Sequence, residues 1–526
     1  MVKRRTVLLG GAATAGALVI GWGVMPPRQR LHPAEPLPAT PGQAVLNGWL
    51  KVGTDNTVTV MMAKSEMGQG THTGLAAILA EELDADWAQV RLAMAPIDDI
   101  YNNLATVVDG LPFHPDNDGS MKAVAGWLTA KTMREVGVMM TGGSSSIKDL
   151  WLPMREAGAH ARAMLVRAAA AQWKVQAAEC TANAGWVEHA AGQRATFGEL
   201  AALAAQQPMP GKVALKEPAQ FKLIGKPLTR IEAPSKLDGS AVFGIDANPP
   251  GLQHASVVMC PTRGGKVARF DATAAQKLPG VKQVLAVAPY HGGTGGVAVI
   301  ADTPWHAKKA AAAVTVEWDH GPAATLSSDI VMARLTQALD ETKGFGYHSA
   351  GDVDQAMQGA ATSITADYRA PYLAHAALEP INCTVRVQDG AAEVWTSTQV
   401  PGLARMAAAK ALGMDEEKVT VHQLLLGGGF GRRLEVDYVA QAAAIAQAAG
   451  GAPVQTLWSR EQDTQHDFYR PACMARFKAG FDAQGQLVAW HNLSVGQAIV
   501  PQVLARTFGL PGTGPDKTTS EGAFDQ

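Results

Sequence analysis

Between residues 46 and 62 apolar and polar positions alternate, with Trp49, Val52, Val58 and Val60 falling on one side, which predicts a short hairpin of strands. The period then changes. A polar, glycine-rich stretch at 66–74 runs into 75–83, whose apolar spacing is helical. A second such junction follows, the loop 141–146 preceding an alanine-rich helical stretch at 155–173. Residues 211–217 read as a linker and Ile224 opens a new unit, with strands at 241–245, 254–259, 284–287, 296–300 and 313–318 and a helix at 304–312. A loose stretch reaches Gly359. Strands then return at 364–368, 384–387 and 393–396, followed by a helix at 403–412, a strand at 419–426 and a helix at 438–448.

The glycines of these junctions carry the first chemical signal. Gly427, Gly428, Gly429, Phe430, Gly431, Arg432 and Arg433 form a loop between a strand and a helix, where backbone N–H groups can approach phosphate oxygens closely and arginine adds charge. The loops containing Gly68, Gln69 and Gly70 and containing Gly142, Gly143, Ser144, Ser145 and Ser146 also feed helix starts, which point free N–H groups and the positive end of a dipole forward. Three anion-ready junctions in one chain predict a phosphorylated ligand.

Composition narrows this reading. With 526 residues the chain is long enough for roughly three or four domains. A formal net charge of −2 gives no nucleic-acid surface. Cys180, Cys260, Cys383 and Cys473 form no C-x-x-C pair and read as buried thiols, so an iron–sulfur cluster within this chain is not expected. The histidines show no metal-ligand spacing, and any metal is expected to arrive inside a cofactor. Lys3, Arg4 and Arg5 followed by the uncharged stretch 6–25 and by Pro26 and Pro27 read as an export signal, similar to the twin-arginine type. The alternative is a membrane anchor, since the apolar stretch is close to the roughly 20 residues that span a bilayer.

The segment Thr396-Ser397-Thr398-Gln399, the glycine loop ending at Gly431, the loop 66–70 and the loop 141–146 together resemble the molybdopterin-binding large subunit of the xanthine dehydrogenase and aldehyde oxidase family. Most members place the Gly-Gln-Gly and serine loops after the Gly-Gly-Gly-Phe-Gly loop, whereas here both precede it. That permuted order, the Tat-like start and the segment His466-Asp467-Phe468-Tyr469-Arg470-Pro471 resemble the isoquinoline 1-oxidoreductase beta-subunit branch and related periplasmic aldehyde dehydrogenases. The resemblance implies an α+β, multidomain architecture: a signal or anchor at 1–27, a linker at 28–43, a molybdopterin-binding segment at 44–210, a hammerhead-type α+β domain at 222–325, a connecting segment at 326–359, a molybdopterin-binding domain at 360–500 and a truncated tail at 501–526.

It also implies roles. Gln399 matches the glutamine that bonds the molybdenum oxo group, and Phe430 stands beside the substrate pocket. Gly68, Gln69, Gly70 and Thr71, Gly142 to Ser146, and Gly428, Gly429, Gly431 and Arg432 match the cage of a molybdopterin cytosine dinucleotide. The implied reaction hydroxylates an electron-poor carbon of an N-heteroaromatic compound or an aldehyde with oxygen from water. Its electrons leave through a separate small 2Fe–2S subunit, and a cytochrome c is the implied acceptor. The chain departs from the family in one respect: the general-base glutamate in a Gly-Glu context is not found, since Glu435, Glu461 and Glu521 stand in other contexts. Glu435 falls one position after Leu434, where the family's second active-site carboxylate would lie, and is read as structural. A fragment that binds cofactor or partner without turnover is therefore the competing expectation. A dimethyl sulfoxide reductase type is disfavoured because an N-terminal cysteine cluster is absent.

Overall fold

A computed structural model describes Met25 and residues 27–111, 113, 117–341, 344, 346, 348–510 and 516. Of the stretch 1–27 read as a signal or anchor, residues 1–24 and 26 lie outside these residues, as does Glu521. The chain divides into two compact units, with the boundary between Gly239 and Ser240.

The first unit begins with the alternating stretch. Strands β1 (Gln43–Asn47), β2 (Leu50–Gly53) and β3 (Val58–Met62) pair antiparallel in sequence order. Helix α1 (Thr71–Leu83) carries the chain to β4 (Val90–Met94), which pairs parallel to β3. After α2 (Ser120–Val136), the long α3 (Ser146–Trp173) packs along α1, burying Leu75, Leu79, Met154 and Leu165 with Trp49 and Val60. A small sheet of β5 (Cys180–Asn183), β6 (Trp186–His189) and β7 (Arg194–Thr196) leads to α4 (Phe197–Ala204), started by a capping box between Thr196 and Glu199.

Helix α3 starts nine residues before the expected helical stretch and contains Pro153. A proline there cannot donate to the carbonyl four residues earlier. That carbonyl, Asp149 O, instead accepts from Arg30 Nη1 at 3.3 Å. Residues 222–239 likewise differ from expectation, because they pack with the first unit instead of opening the next. Buried Glu81 draws them in, its Oε2 accepting from the backbone N–H groups of Lys222, Leu223 and Ile224 at 2.7, 2.6 and 3.2 Å.

In the second unit β8 (Gln253–Met259), β9 (Lys266–Asp271), β10 (Val281–Val287), β11 (Gly296–Ala301), α5 (Pro304–Ala311) and β12 (Thr315–Asp319) come first. The stretch read as loose contains α6 (Ser328–Glu341) and α7 (Val353–Gln358). Then follow β13 (Thr362–Ala370), β14 (Asn382–Gln388), β15 (Ala391–Thr396), α8 (Pro401–Leu412), β16 (Val419–Gln423), α9 (Asp437–Gln447), β17 (Val454–Leu457), β18 (Cys473–Phe481), β19 (Leu487–Gly496) and α10 (Val500–Phe508).

Seven of these strands form one sheet in the order β10-β11-β8-β17-β14-β15-β16, so strands expected in separate domains at 222–325 and 360–500 are hydrogen-bonded neighbours. The joint is the parallel pair β8–β17, in which Ala255 faces Thr456. Helices α8 and α9 pack on each other and on the sheet, burying Val385, Val394, Ala404, Val439 and Ile445. A second sheet, β13-β18-β19, is covered by α6 through Val331, Leu335, Leu339 and Met474. The strand expected at 241–245 is a turn, Gly244–Asp246, pinned by the Gly244 N–H donating to Ser397 Oγ at 2.9 Å. The fold is α+β.

Candidate functional site

In the first unit the two glycine-rich junctions lie side by side. Ser65 N–H donates to Thr141 Oγ1 at 2.7 Å, and beneath both loops Lys64 Nζ donates to Met140 O at 3.2 Å and to Asp149 Oδ2 at 2.9 Å. Arg30 Nη1 pairs with the same carboxylate at 3.3 Å, and Asp149 Oδ1 accepts from Leu104 N–H at 2.9 Å. Lys64, Arg30 and Asp149 are all buried. Burial pushes Lys64 below its ordinary value against the pull of Asp149; for Asp149 burial is outweighed by Arg30 and Lys64, which hold the carboxyl low.

The first loop is wound around Glu66. Its Oε1 accepts from Gly68 and Gly70 N–H at 2.9 and 3.0 Å, and its Oε2 from His72 N–H at 3.0 Å. These amides, expected to face a ligand, are committed to the carboxylate of Glu66, which is buried at 2% exposure and takes them as its partners. Gln69 also folds back, its Nε2 donating to Ser65 O and its Oε1 accepting from Met67 N–H. His72 Nε2–H donates to Lys64 O at 2.8 Å. The hydroxyl of Thr71, 4% exposed, has no hydrogen-bond partner among the described residues.

In the second loop Ser145 is structural. It is buried, donates to Gly142 O at 2.7 Å, and bonds Asn103 Nδ2 and Thr106 Oγ1. Gly143 and Ser144 are exposed, both with left-handed backbone, and Ser146 is the first residue of α3.

The second unit brings Gln399 to its own glycine loop. Gln399 N–H donates to Arg433 O at 2.9 Å, and its Oε1 accepts from Gly431 N–H at 3.3 Å. Gly428 and Gly431 have φ of +103° and +105°, and Phe430 between them is 72% exposed. Gly429 is buried. Arg432, assigned above to phosphate, is not placed for a ligand. It is 1% exposed, donates to both oxygens of Asp437 at 2.9 and 3.0 Å, holds Nε 3.0 Å from Asp467 Oδ1, and lies over the rings of Tyr438, Trp458 and Phe468. Its charge is already neutralised, since an arginine in this interior must be paired there.

Arg433 is also buried. It donates to Gly428 O, Ser397 O and Glu379, and Glu379 anchors the loop from below. Glu379 Oε2 accepts from Gly427 N–H at 2.8 Å, while Oε1 accepts from Ile245 N–H and Asn382 Nδ2 at 2.9 Å each. A Cβ at Gly427 would overlap Glu379 Cβ, which explains that glycine. Glu435 forms an ion pair with Arg506 of α10. His375 and Asp467 form a further pair beside Gly431. Sequence reasoning passed over Lys64, Asp149, His375 and Glu379, although a charged residue set among apolar neighbours at a loop root was a usable signal.

A pterin carrying phosphates, if held here, needs uncommitted donors at helix starts. The first unit supplies Thr71 Oγ1 and the first turn of α3, which has no side-chain cap, whereas the start of α1 is already met by the Glu66 carboxylate through His72 N–H. The residues present fit an anionic group, through α-helical N–H groups in place of the loop amides of Gly68 and Gly70.

Comparison with known proteins bears on what that group is. Residues 336–497 match a molybdopterin cofactor-binding domain, and residues 11–107 match a second domain of the same description. Over 450 residues the chain is 32% identical to the membrane-bound aldehyde dehydrogenase (pyrroloquinoline-quinone) of Gluconacetobacter polyoxogenes, covering 84% of this chain and 54% of that protein. Over 493 residues it is 31% identical to the beta chain of isoquinoline 1-oxidoreductase from Brevundimonas diminuta, covering 84% and 58%. The xanthine dehydrogenase/oxidase of Rattus norvegicus is 27% identical over 303 residues, covering 52% and 22%.

This chain belongs to the xanthine dehydrogenase family of molybdopterin-binding subunits.

It spans about half the length of the first two of these curated relatives. Within this xanthine dehydrogenase family member, the match at 11–107 contains Gly68, Gln69, Gly70 and Thr71, and the match at 336–497 contains Gln399 and the loop from Gly428 to Arg432. Ser144, Ser145 and Ser146 lie in neither. The first match begins inside the stretch read as an export signal.

Proposed function

We propose that the chain is the molybdopterin-binding catalytic subunit of an exported molybdenum hydroxylase that oxidises aldehydes or N-heteroaromatic compounds with oxygen from water. The observation that carries this reading is the seating of Gln399 against Gly431, which puts a glutamine side chain at the base of a loop whose tip is the exposed ring of Phe430. The cofactor is molybdopterin cytosine dinucleotide, which supplies two-electron redox chemistry at its metal. Gln399 stands at the base of the loop on the metal side, and Phe430 presents an apolar wall to the substrate. Glu379 and Arg433 keep the loop in register without touching substrate. Two relatives support the two substrate classes: one is named an aldehyde dehydrogenase and the other an isoquinoline oxidoreductase. Electrons pass to a separate small 2Fe–2S subunit and from there to an acceptor such as a cytochrome c in the periplasm. The positively charged start and apolar stretch of the sequence support export by the twin-arginine route.

The test is to purify the protein together with its iron–sulfur partner from a host that makes the dinucleotide cofactor. Stoichiometric molybdenum, cytidine monophosphate released by acid hydrolysis, and dye reduction with an aldehyde or a quinoline-like heterocycle are expected. A bound quinone without molybdenum would overturn the cofactor assignment. Molybdenum without turnover on either substrate class would leave a cofactor-binding subunit and remove the hydroxylase.

A further inference from the structure

Helix α2 is inverted relative to the usual surface helix, which turns its apolar stripe inward and its charges outward. Its buried residues are Lys131 and Arg134, whereas Met121, Val124, Trp127, Leu128 and Val136 are exposed, Met121 by 75% and Val124 by 63%. Met121, Val124 and Leu128 stand at i, i+3 and i+7, so they form one outward stripe. Val107, on the short helix Ala105–Asp109 that packs against α2, is exposed as well. Apolar side chains grouped in this way mark a surface that meets a partner or a membrane.

The chain bound beside this stripe points to its occupant. Lys131 Nζ donates to Met25 O at 2.5 Å, Arg134 Nη2 donates to Gln29 O at 3.4 Å, and Arg28 pairs with Glu135 at 3.1 Å. The stretch 6–25 is uncharged and close to the roughly 20 residues that span a bilayer, and its last residue is held on α2 itself. Met25 is exposed there too. Charge agrees with a lipid surface: Lys122, Lys131 and Arg134 outnumber Glu135 on α2, a balance that anionic headgroups attract. Trp127 carries Lys131 Nζ 4.8 Å from its ring centre, and an indole with a basic neighbour suits the headgroup level. A span is excluded for α2, which has 17 residues with these charges among them, and no helix among the described residues is long and apolar enough to cross a membrane. Such a helix lies in the plane of the interface.

We propose that α2 is a membrane-docking helix: with the stretch 6–25 kept as an anchor, Met121, Val124, Trp127 and Leu128 bed into the surface of an anionic bilayer. The anchor ends on the helix that docks, so the bilayer is presented to the stripe at high effective concentration and a small apolar face is enough. This surface serves to hold the first unit at the membrane. It asks only that the stretch 6–25 stays on the chain, and it does not depend on the hydroxylase reading.

Three measurements on the full chain test this. Leu128→Cys is labelled with an environment-sensitive fluorophore in a Cys473→Ser background, the other cysteines being buried, and the protein is reconstituted in vesicles of phosphatidylethanolamine and phosphatidylglycerol. The same label at Ala191→Cys, on the exposed turn between β6 and β7, is the reference. Spin-labelled lipid is expected to quench the Leu128 label about twofold more than the reference, since a docked helix lies about 5–10 Å into the headgroup and acyl boundary. Adding Val124→Glu, at an exposed position, is expected to remove that difference without changing the melting temperature. Equal quenching at both positions, or quenching that Val124→Glu leaves intact, would overturn the proposal. Next, a benzophenone on Leu128→Cys is expected to crosslink to lipid in native membranes; a product with residues 6–24, with a second copy or with another protein would assign the face to that occupant and overturn docking. Finally, protein purified from membranes is expected to retain residues 6–25 by intact mass, and a chain lacking them would remove the tether and the proposal with it. None of these readouts involves molybdenum or turnover, so their failure is distinct from failure of the hydroxylase reading.

Discussion

At the scale of single residues, the site is organised by buried charges that have found one another. Asp149 holds together Arg30, Lys64 and the peptide N–H of Leu104, and Glu379 does the same for Arg433 and Gly427. Such a pair adds little over an apolar replacement, yet removing one partner strands the other. Asp149→Asn is therefore expected to destabilise the protein by about 3–5 kcal/mol at neutral pH, read by urea denaturation. The sign with pH follows from the lowered carboxyl. Its stabilisation is complete above the ordinary value of 3.8 and is lost as pH falls through the lower folded value, so wild type and variant should converge in strong acid. A gap between their melting temperatures that stays constant down to that acid would contradict the assignment. The sequence showed the glycine loop, because residue types and spacing carry it, and Gln399 was singled out by the family resemblance. It misassigned Arg432, because Asp437 and Asp467 are five and 35 positions away and only the fold brings both to one guanidinium.

At the scale of elements, apolar periodicity located α1, α8, α9 and the large sheet's strands on either side of β17, but not β17 itself. It failed where a partner outside the element decides. Pro153 hid the first part of α3, and Arg30 supplies the bond that the proline forfeits. Gly158 shows the same dependence. Within α3 a Cβ at this position would overlap Leu79 O and lie 3.0 Å from Glu82 Cβ of α1. Helix propensity alone predicts that Gly158→Ala gains about 1 kcal/mol. Overpacking against a backbone predicts a loss of about 1–3 kcal/mol, and that loss is the expected outcome in thermal unfolding. A variant melting higher than wild type would show that α1 and α3 are not packed as closely as described.

At the scale of the whole molecule, a sequence read in order suggests that 222–325 and 360–500 are successive domains, whereas the large sheet interleaves them. With β8 between β11 and β17, residues before 326 fill the side of β17 that β14 leaves open. A fragment starting at residue 326 would expose β17 as an edge and uncover the apolar surface that Ala255 and Val257 bury. It is expected to aggregate or to melt without cooperativity in circular dichroism; a soluble fragment with a sharp transition would show two independent halves. By itself the sequence determined the α+β class, the family and the glycine loops, because local period and short motifs are properties of neighbouring positions. The tertiary structure alone decided which carboxylate neutralises which arginine, which amides Glu66 consumes, how β8 meets β17, and that His375 meets Asp467. Those are contacts between residues far apart in sequence, and only burial in a particular packing makes them obligatory.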